Sequence, residues 1–153
     1  MMSIEYITGF IEADGWFIVT IEKDKTHVYG YRIRPTIGIR TSDKEIIELI
    51  KANFPDLSFN EAITDEGHTI QLLLRRRDDV LKFILVIEPY LQTERVKRIV
   101  QLMKELIGVL DSRKDKKDFL KALSVAKQIR ALARKGKGQK GRYDVEKIIK
   151  SLE

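Results

Sequence analysis

The stretch Ile7-Thr8-Gly9-Phe10-Ile11-Glu12-Ala13-Asp14-Gly15 constrains this chain more than any other. Ile4, Ile7 and Ile11 recur at helical spacing, and Tyr6, Gly9 and Ala13 make a second stripe beside them, so the spacing predicts a helix with two faces to bury. One face serves the chain's own core. The other is flattened by small residues four apart, which let a second helix approach until the backbones nearly touch. Ser3 caps this helix and Gly15 stops it, leaving Asp14 at its C-terminal end. That end already carries partial negative charge, so an acid there costs about a few tenths of a kcal/mol. If two copies pair side by side, two Asp14 carboxylates meet. Such a pair raises a pKa or calls in a divalent cation, and ligation by carboxylate, helix-end carbonyl and water suits Mg²⁺. On spacing alone the simpler reading is a core helix ending in an exposed Asp-Gly turn.

After Gly15 the period changes from helical to two. Phe17, Val19 and Ile21 alternate with Trp16, Ile18, Thr20 and Glu22, as in a half-buried strand. A polar hairpin over 22–27 leads to a second strand over 29–40, with Ile33, Ile37 and Ile39 on one face and Arg32, Arg34, Thr36, Gly38 and Arg40 on the other. Thr41-Ser42-Asp43 opens a helix that runs to about Asn53, and Pro55 lies just beyond it. Strands over 57–63 and 68–76 follow, the second with Ile70, Leu72 and Leu74 toward the core and Thr69, Gln71, Leu73 and Arg75 on the open side. A helix over 78–86 completes an αββαββα order, and helices over 93–110, 116–133 and from Asp144 make the remainder α-helical.

The open sheet side therefore gathers arginines with glutamine, threonine and leucine. Arg pairs with guanine, Gln with adenine, and Thr or Leu meets the thymine methyl, so this face has the chemistry of major-groove readout. Edge-strand protection is the plainer use of three arginines on one strand. Between the last two helices Arg134, Lys135, Lys137, Lys140 and Arg142 are interleaved with three glycines, a run that suits phosphate contact or a solvated linker equally. Lys and Arg total 29 against 23 acidic residues, giving +6, which is compatible with a polyanionic partner. There is no cysteine, hence no disulfide, no thiolate zinc site and no thiol nucleophile. His27 and His68 lack the spacing of a triad or zinc site and read as surface residues. Trp16 reads as packing. No signal peptide and no long apolar run suggest an intracellular protein, in cytoplasm or organelle, with no membrane role.

The nine residues from Ile7 to Gly15 resemble the LAGLIDADG motif of homing endonucleases, with Thr8 and Glu12 departing from it. Only one copy of the motif is present, as in the homodimeric branch of that family. The resemblance implies an α+β fold of αββαββα type: a core over 1–110 with a four-stranded saddle sheet, and a C-terminal helical extension over 111–153, all one domain. It implies a homodimer formed through Tyr6, Gly9, Phe10 and Ala13. The partner would be double-stranded DNA with a long pseudo-palindromic site, cut at one phosphodiester per strand. Asp14 and the Ala13 carbonyl would hold Mg²⁺, for which Mn²⁺ can substitute, and Glu12 would be structural. Residues implied to touch DNA are Ile18, Thr20, Glu22, Arg32, Arg34, Thr36, Gly38, Arg40, Thr69, Gln71, Leu73 and Arg75, with Lys135, Lys137, Lys140 and Arg142 on the backbone. The family's glutamine and lysine helpers fall on Thr41 and Glu94, so Arg40, Thr41 and Lys97 are the catalytic candidates beside Asp14, with Lys44 and Arg95 nearby. Because those helpers are replaced, a non-cleaving protein of the same fold, an RNA maturase or a DNA-binding regulator, is the alternative.

Overall fold

The computed structural model describes residues 3–64, 67–133 and 144–152. In chain order these form α1 (Ile4–Asp14), β1 (Trp16–Lys23), β2 (Tyr31–Thr41), α2 (Lys44–Asn53), β3 (Asn60–Ile63), β4 (Ile70–Leu74), α3 (Arg77–Ile87), a 3-10 turn (Glu88–Tyr90), α4 (Glu94–Ser112), α5 (Lys116–Leu132) and α6 (Val145–Leu152). The four strands make one antiparallel sheet in the order β1-β2-β4-β3. The α+β class and the αββαββα order with added C-terminal helices are therefore as expected.

Alternation decides which sheet face is covered. Phe17, Val19, Ile21, Ile33, Ile37, Ile39, Leu72 and Leu74 are buried, and they share one hydrophobic core with α1 to α6. Helix α5 packs on α4 and along β1, where the Arg130 guanidinium donates to the Val19 carbonyl at 3.2 Å. The cross-strand partner of Val19 is Pro35, which has no N–H to donate, so Arg130 supplies that carbonyl with a donor. Among the described residues no helix is long and apolar enough to cross a membrane.

Three strand boundaries differ from the periodicity. Residues 24–30 form a turn, closed by Asp24 N–H donating to the Gly30 carbonyl at 2.9 Å, with Gly30 at φ +80°, so β2 starts at Tyr31 and not at Tyr29. Tyr29 instead stacks on Phe119 of α5, ring centroids 5.0 Å apart. Before β3, the Ser58 N–H donates to the buried Asp79 carboxylate at 3.1 Å, which diverts 57–59 from the sheet. Arg76 accepts the first helical bond of α3, from Val80 N–H, which ends β4 early. His27 is also less exposed than its hairpin position suggests. It packs on Phe119 with its Nδ1 buried, and burial, then the nearby Arg113 charge, hold its pKa below the ordinary imidazole value.

Helix α1 runs as predicted, with Ser3 Oγ accepting from Tyr6 N–H. Its inward face is Ile7, Thr8, Ile11 and Glu12. Thr8 tolerates burial because its hydroxyl donates to the Ile4 carbonyl at 2.7 Å. Glu12, 7% exposed, accepts from the backbone N–H of Gln92 at 2.9 Å and Thr93 at 3.0 Å and from the Thr93 hydroxyl at 2.9 Å. Those groups precede α4, so the carboxylate satisfies donors that the helix cannot and sits at the favourable end of its dipole. Glu12→Ala leaves them without an acceptor and is expected to lower the unfolding free energy by about 2–3 kcal/mol in a urea titration.

Candidate nucleic-acid interface and metal-binding helix end

The register assembles the open sheet face. Trp16, Ile18, Thr20 and Glu22 lie opposite Gly38, Thr36, Arg34 and Arg32, and Gly38 and Arg40 lie opposite Leu73 and Gln71. Strand β3 adds Asn60 and Ala62, the partners of Leu73 and Gln71. Asn60 and Ala62 were not foreseen, because only the β3–β4 register says which of their strand's residues share this side.

Not every residue on the face is accessible. Thr36 is 2% exposed, with its hydroxyl directed to the Arg34 carbonyl at 3.4 Å. Gly38 is buried as well, because the Trp16 ring and the Leu73 side chain cover it: a Cβ built there would sit 2.5 Å from Trp16 Cε2 and Cζ2 and 2.7 Å from Leu73 Cδ2. Both therefore leave the set of expected DNA contacts. Gly38 is required so that Trp16 can lie flat on the sheet, and Trp16 is packing, as its sequence context suggested. Gly38→Ala is expected to cost about 1–3 kcal/mol through overpacking. The fluorescence of Trp16, the one tryptophan, should shift with it.

What remains accessible mixes arginines with polar and apolar side chains. Ile18, Thr20, Gln71 and Leu73 are half-buried, and Arg32 and Arg40 are exposed. Thr20 donates to the Arg34 carbonyl at 3.2 Å, Arg40 Nη2 donates to Gln71 Oε1 at 2.9 Å, and Arg75 Nη2 donates to Glu22 Oε1 at 2.8 Å. Thr69 is occupied at the base of the β3–β4 hairpin, where its carbonyl accepts from Thr64 N–H at 2.9 Å. Burial, and after it the charges of Arg32 and Arg75, lower the pKa of Arg34. Beyond Ile37↔Leu74 the pairing of β2 with β4 stops, and a polar cleft of about 750 Å³ opens there, lined by Arg32, Arg34, Arg75, Arg76, Arg77 and Arg113 among others. Arg76, Arg77 and Arg113 were missed. The run Arg75-Arg76-Arg77 was the available signal, but Arg113 reaches the cleft only because α4 ends beside it. Lys135, Lys137, Lys140 and Arg142 lie outside the described residues.

At the junction of α1 and β1, Ala13 and Asp14 are exposed and Gly15 is buried. Gly15 is extended, φ −85° and ψ 179°, so it does not end the helix through a left-handed conformation. It is glycine for space: a Cβ would lie 2.7 Å from the Ile11 carbonyl oxygen and 3.0 Å from that of Gly38. The helix end is thereby pressed against the sheet, which puts Asp14 beside the open face at the Trp16 end. Arg95 lines a small pocket with Glu12, Gly15 and Trp16, and donates to the Leu132 carbonyl at 3.1 Å. The other helper candidates have local partners: Thr41 Oγ1 accepts from Asp43 N–H at 3.1 Å, and Lys97 lies 3.5 Å from Glu94. Among the described residues no three His, Cys, Asp or Glu side chains gather as a metal cage. One chain thus offers one exposed carboxylate and a helix-end carbonyl, two oxygen donors of the kind a hard cation takes.

The second stripe of α1 faces outward. Tyr6 is 56% exposed, Gly9 and Ala13 are exposed, and Phe10 is half-buried. A Cβ at Gly9 would meet nothing within 4 Å. α1 packs against α3 and the 3-10 turn, which expose Leu85, Val86 and Tyr90, so large apolar side chains accumulate on three adjoining elements. Leu85, Val86 and Tyr90 were not anticipated as part of that surface.

The family model described as LAGLIDADG endonuclease matches residues 7–107. No curated protein matches by sequence. Among solved structures, the chain is similar to the archaeal intron-encoded homing endonuclease I-Vdi141I complexed with DNA, with TM-score 0.83 and 22% identity over 97% of this chain and 93% of that one. It is similar to the homing endonuclease I-CvuI in complex with its target in the presence of Ca, with TM-score 0.81 and 18% identity over 97% and 93%. It is also similar to the homing endonuclease I-TnaI, with TM-score 0.78 and 13% identity over 99% of each chain.

Proposed function

Because this chain belongs to the LAGLIDADG endonuclease family, we propose that it is a homing endonuclease that cuts both strands of a long pseudo-palindromic DNA site as a homodimer, using Mg²⁺ or, in its place, Mn²⁺. The observation that carries this reading is the adjacency of the exposed Asp14 helix end to an arginine-rich, otherwise uncovered sheet face. A two-stranded ribbon fits the major groove, and Arg32, Arg34, Arg40, Gln71 and Arg75 supply donors for its base edges. The cleft beyond β4 offers Arg76, Arg77 and Arg113 for the phosphates of the same strand. The outward face of α1 brings the second copy.

In this reading Asp14 and the Ala13 carbonyl would hold the metal, which when bound would supply activation of water and charge neutralisation at the leaving oxygen. The chain's own residues orient the site. Glu12 ties α1 to the start of α4, Gly15 seats the helix end on β2, and Trp16 fills the space next to it. Arg95, which lines the pocket beside Gly15 and Trp16, is a candidate for the lysine's role, with Arg40, Thr41 and Lys97 as the others. Like I-Vdi141I, which is described as intron-encoded, the chain would serve a mobile element and act on DNA inside the cell. The second reading, a binding protein without cleavage, is favoured by Glu94 at the family's lysine position and by the local partners of Thr41 and Lys97. Selecting a site from randomised duplex DNA and then adding Mg²⁺ tests both. Cut products support the endonuclease, a selected but uncut site supports a DNA-binding regulator, and no selection refutes both of these and leaves only an RNA-binding maturase.

A further inference from the structure

Granting the base-reading role proposed for the sheet face, Glu22 occupies an unexpected place in it. It lies opposite Arg32 in the β1–β2 ladder, yet its carboxylate binds Arg75, which follows β4 on the far side of β2. The two side chains meet over β2, close enough to Arg34 that Glu22 partly offsets the effect of Arg32 and Arg75 on it. A carboxylate on such a face has two uses. It can accept from cytosine N4, or it can fix an arginine whose long side chain otherwise samples many rotamers. Here Oε1 already accepts from Nη2 of Arg75 at 2.8 Å, the contact that the second use requires. With side chains 32% and 44% exposed, the pair adds little to folding. Its effect is on orientation: with one Nη held, the remaining donors of the fork keep a fixed direction for the O6 and N7 of guanine.

We infer that Glu22 is a positioning residue for specificity, which holds the Arg75 guanidinium for one guanine and does not itself contact a base. As an anion facing a polyanion, it also repels every DNA sequence alike. Its removal should therefore strengthen indiscriminate binding while weakening discrimination, a combination that simple loss of structure does not give.

The test measures binding of the parent, Glu22→Ala, Glu22→Gln, Arg75→Ala and the Glu22→Ala/Arg75→Ala double variant. Each is titrated by fluorescence anisotropy with the selected site, its single-base-pair variants and random duplex DNA. Glu22→Ala should bind random DNA a few-fold more tightly and lose about tenfold discrimination at one base pair, the pair that Arg75→Ala relaxes. The double variant should discriminate there no worse than Arg75→Ala alone. Glu22→Gln, whose amide oxygen still accepts from Arg75, should keep more of the discrimination. Relaxation at a different base pair, or losses that add in the double variant, would make Glu22 a base reader and overturn the inference. Equal weakening on all sequences would make it structural and overturn it too. A parent without any sequence preference would remove the base-reading role itself, an outcome visible before any variant is made.

Discussion

Asp14→Asn is expected to bind its DNA site as the parent does and to cut it slower by roughly a thousandfold or more. The amide keeps the shape of the carboxylate but is a far weaker ligand for a hard cation. Lost metal binding takes with it several kcal/mol of charge stabilisation, at about 1.4 kcal/mol for each tenfold in rate. Folding is expected to change little. Asp14 is exposed, it ends α1 where the helix dipole disfavours an anion, and it is the neighbouring Glu12 whose carboxylate joins α1 to α4. The variant should therefore melt no lower than the parent, which separates its effect from that of Glu12→Ala. The measurements are single-turnover cleavage with Mg²⁺ and with Mn²⁺, a binding isotherm, and a thermal melt. Cutting at the parental rate would remove Asp14 from the chemistry, and a drop in binding as large as the drop in rate would make its role one of affinity.

The contrast between Asp14 and Glu12 also marks what a sequence of this kind can and cannot convey. Period and spacing identify α1, the change to alternation at Gly15, and the buried faces of β1 and β2, since these depend on neighbours within a few residues. The partner of Glu12 lies 80 residues away, and nothing local to either segment announces it. Alternation correctly puts Thr36 and Gly38 on the open side, but it is silent on what covers them. The cover at Gly38 is the ring of its cross-strand neighbour Trp16. The arginine cleft is a stronger case. It exists because β2 continues past the end of β4, which the start of α3 cuts short, so Arg76, Arg77 and Arg113 join Arg32 and Arg34 only in three dimensions. The pairing of Arg75 with Glu22 across an intervening strand is of the same kind. The family motif identified the chain's relatives from nine residues, whereas side-chain partners that differ within the fold had to be read from contacts.

Gly9→Leu is expected to leave a folded chain that no longer dimerises. Within one chain nothing restricts that position: a Cβ at Gly9 meets no atom within 4 Å, and the residue is exposed in mid-helix. Glycine there costs the helix about 0.5–1 kcal/mol relative to alanine, and leucine is nearly as good a helix former as alanine. The isolated fold should gain slightly from the change. A glycine retained in the middle of a helix, with no intramolecular neighbour to require it, points to an approach from outside. The surroundings agree, since Tyr6 is 56% exposed on the same helix and Tyr90 and Leu85 are 38% and 55% exposed on the elements packed against it. A leucine at the centre of that face would hold two helices apart by the width of its side chain and forfeit their close packing. Sedimentation should show the parent as a dimer and Gly9→Leu as a monomer with helical circular dichroism, and Gly9→Ala should dissociate at intermediate concentration. DNA cleavage should fall with dimerisation, because each chain supplies one Asp14. A parent that sediments as a folded monomer, or a Gly9→Leu dimer as tight as the parent's, would overturn the assembly through α1 and, with it, the sharing of a metal site between two copies.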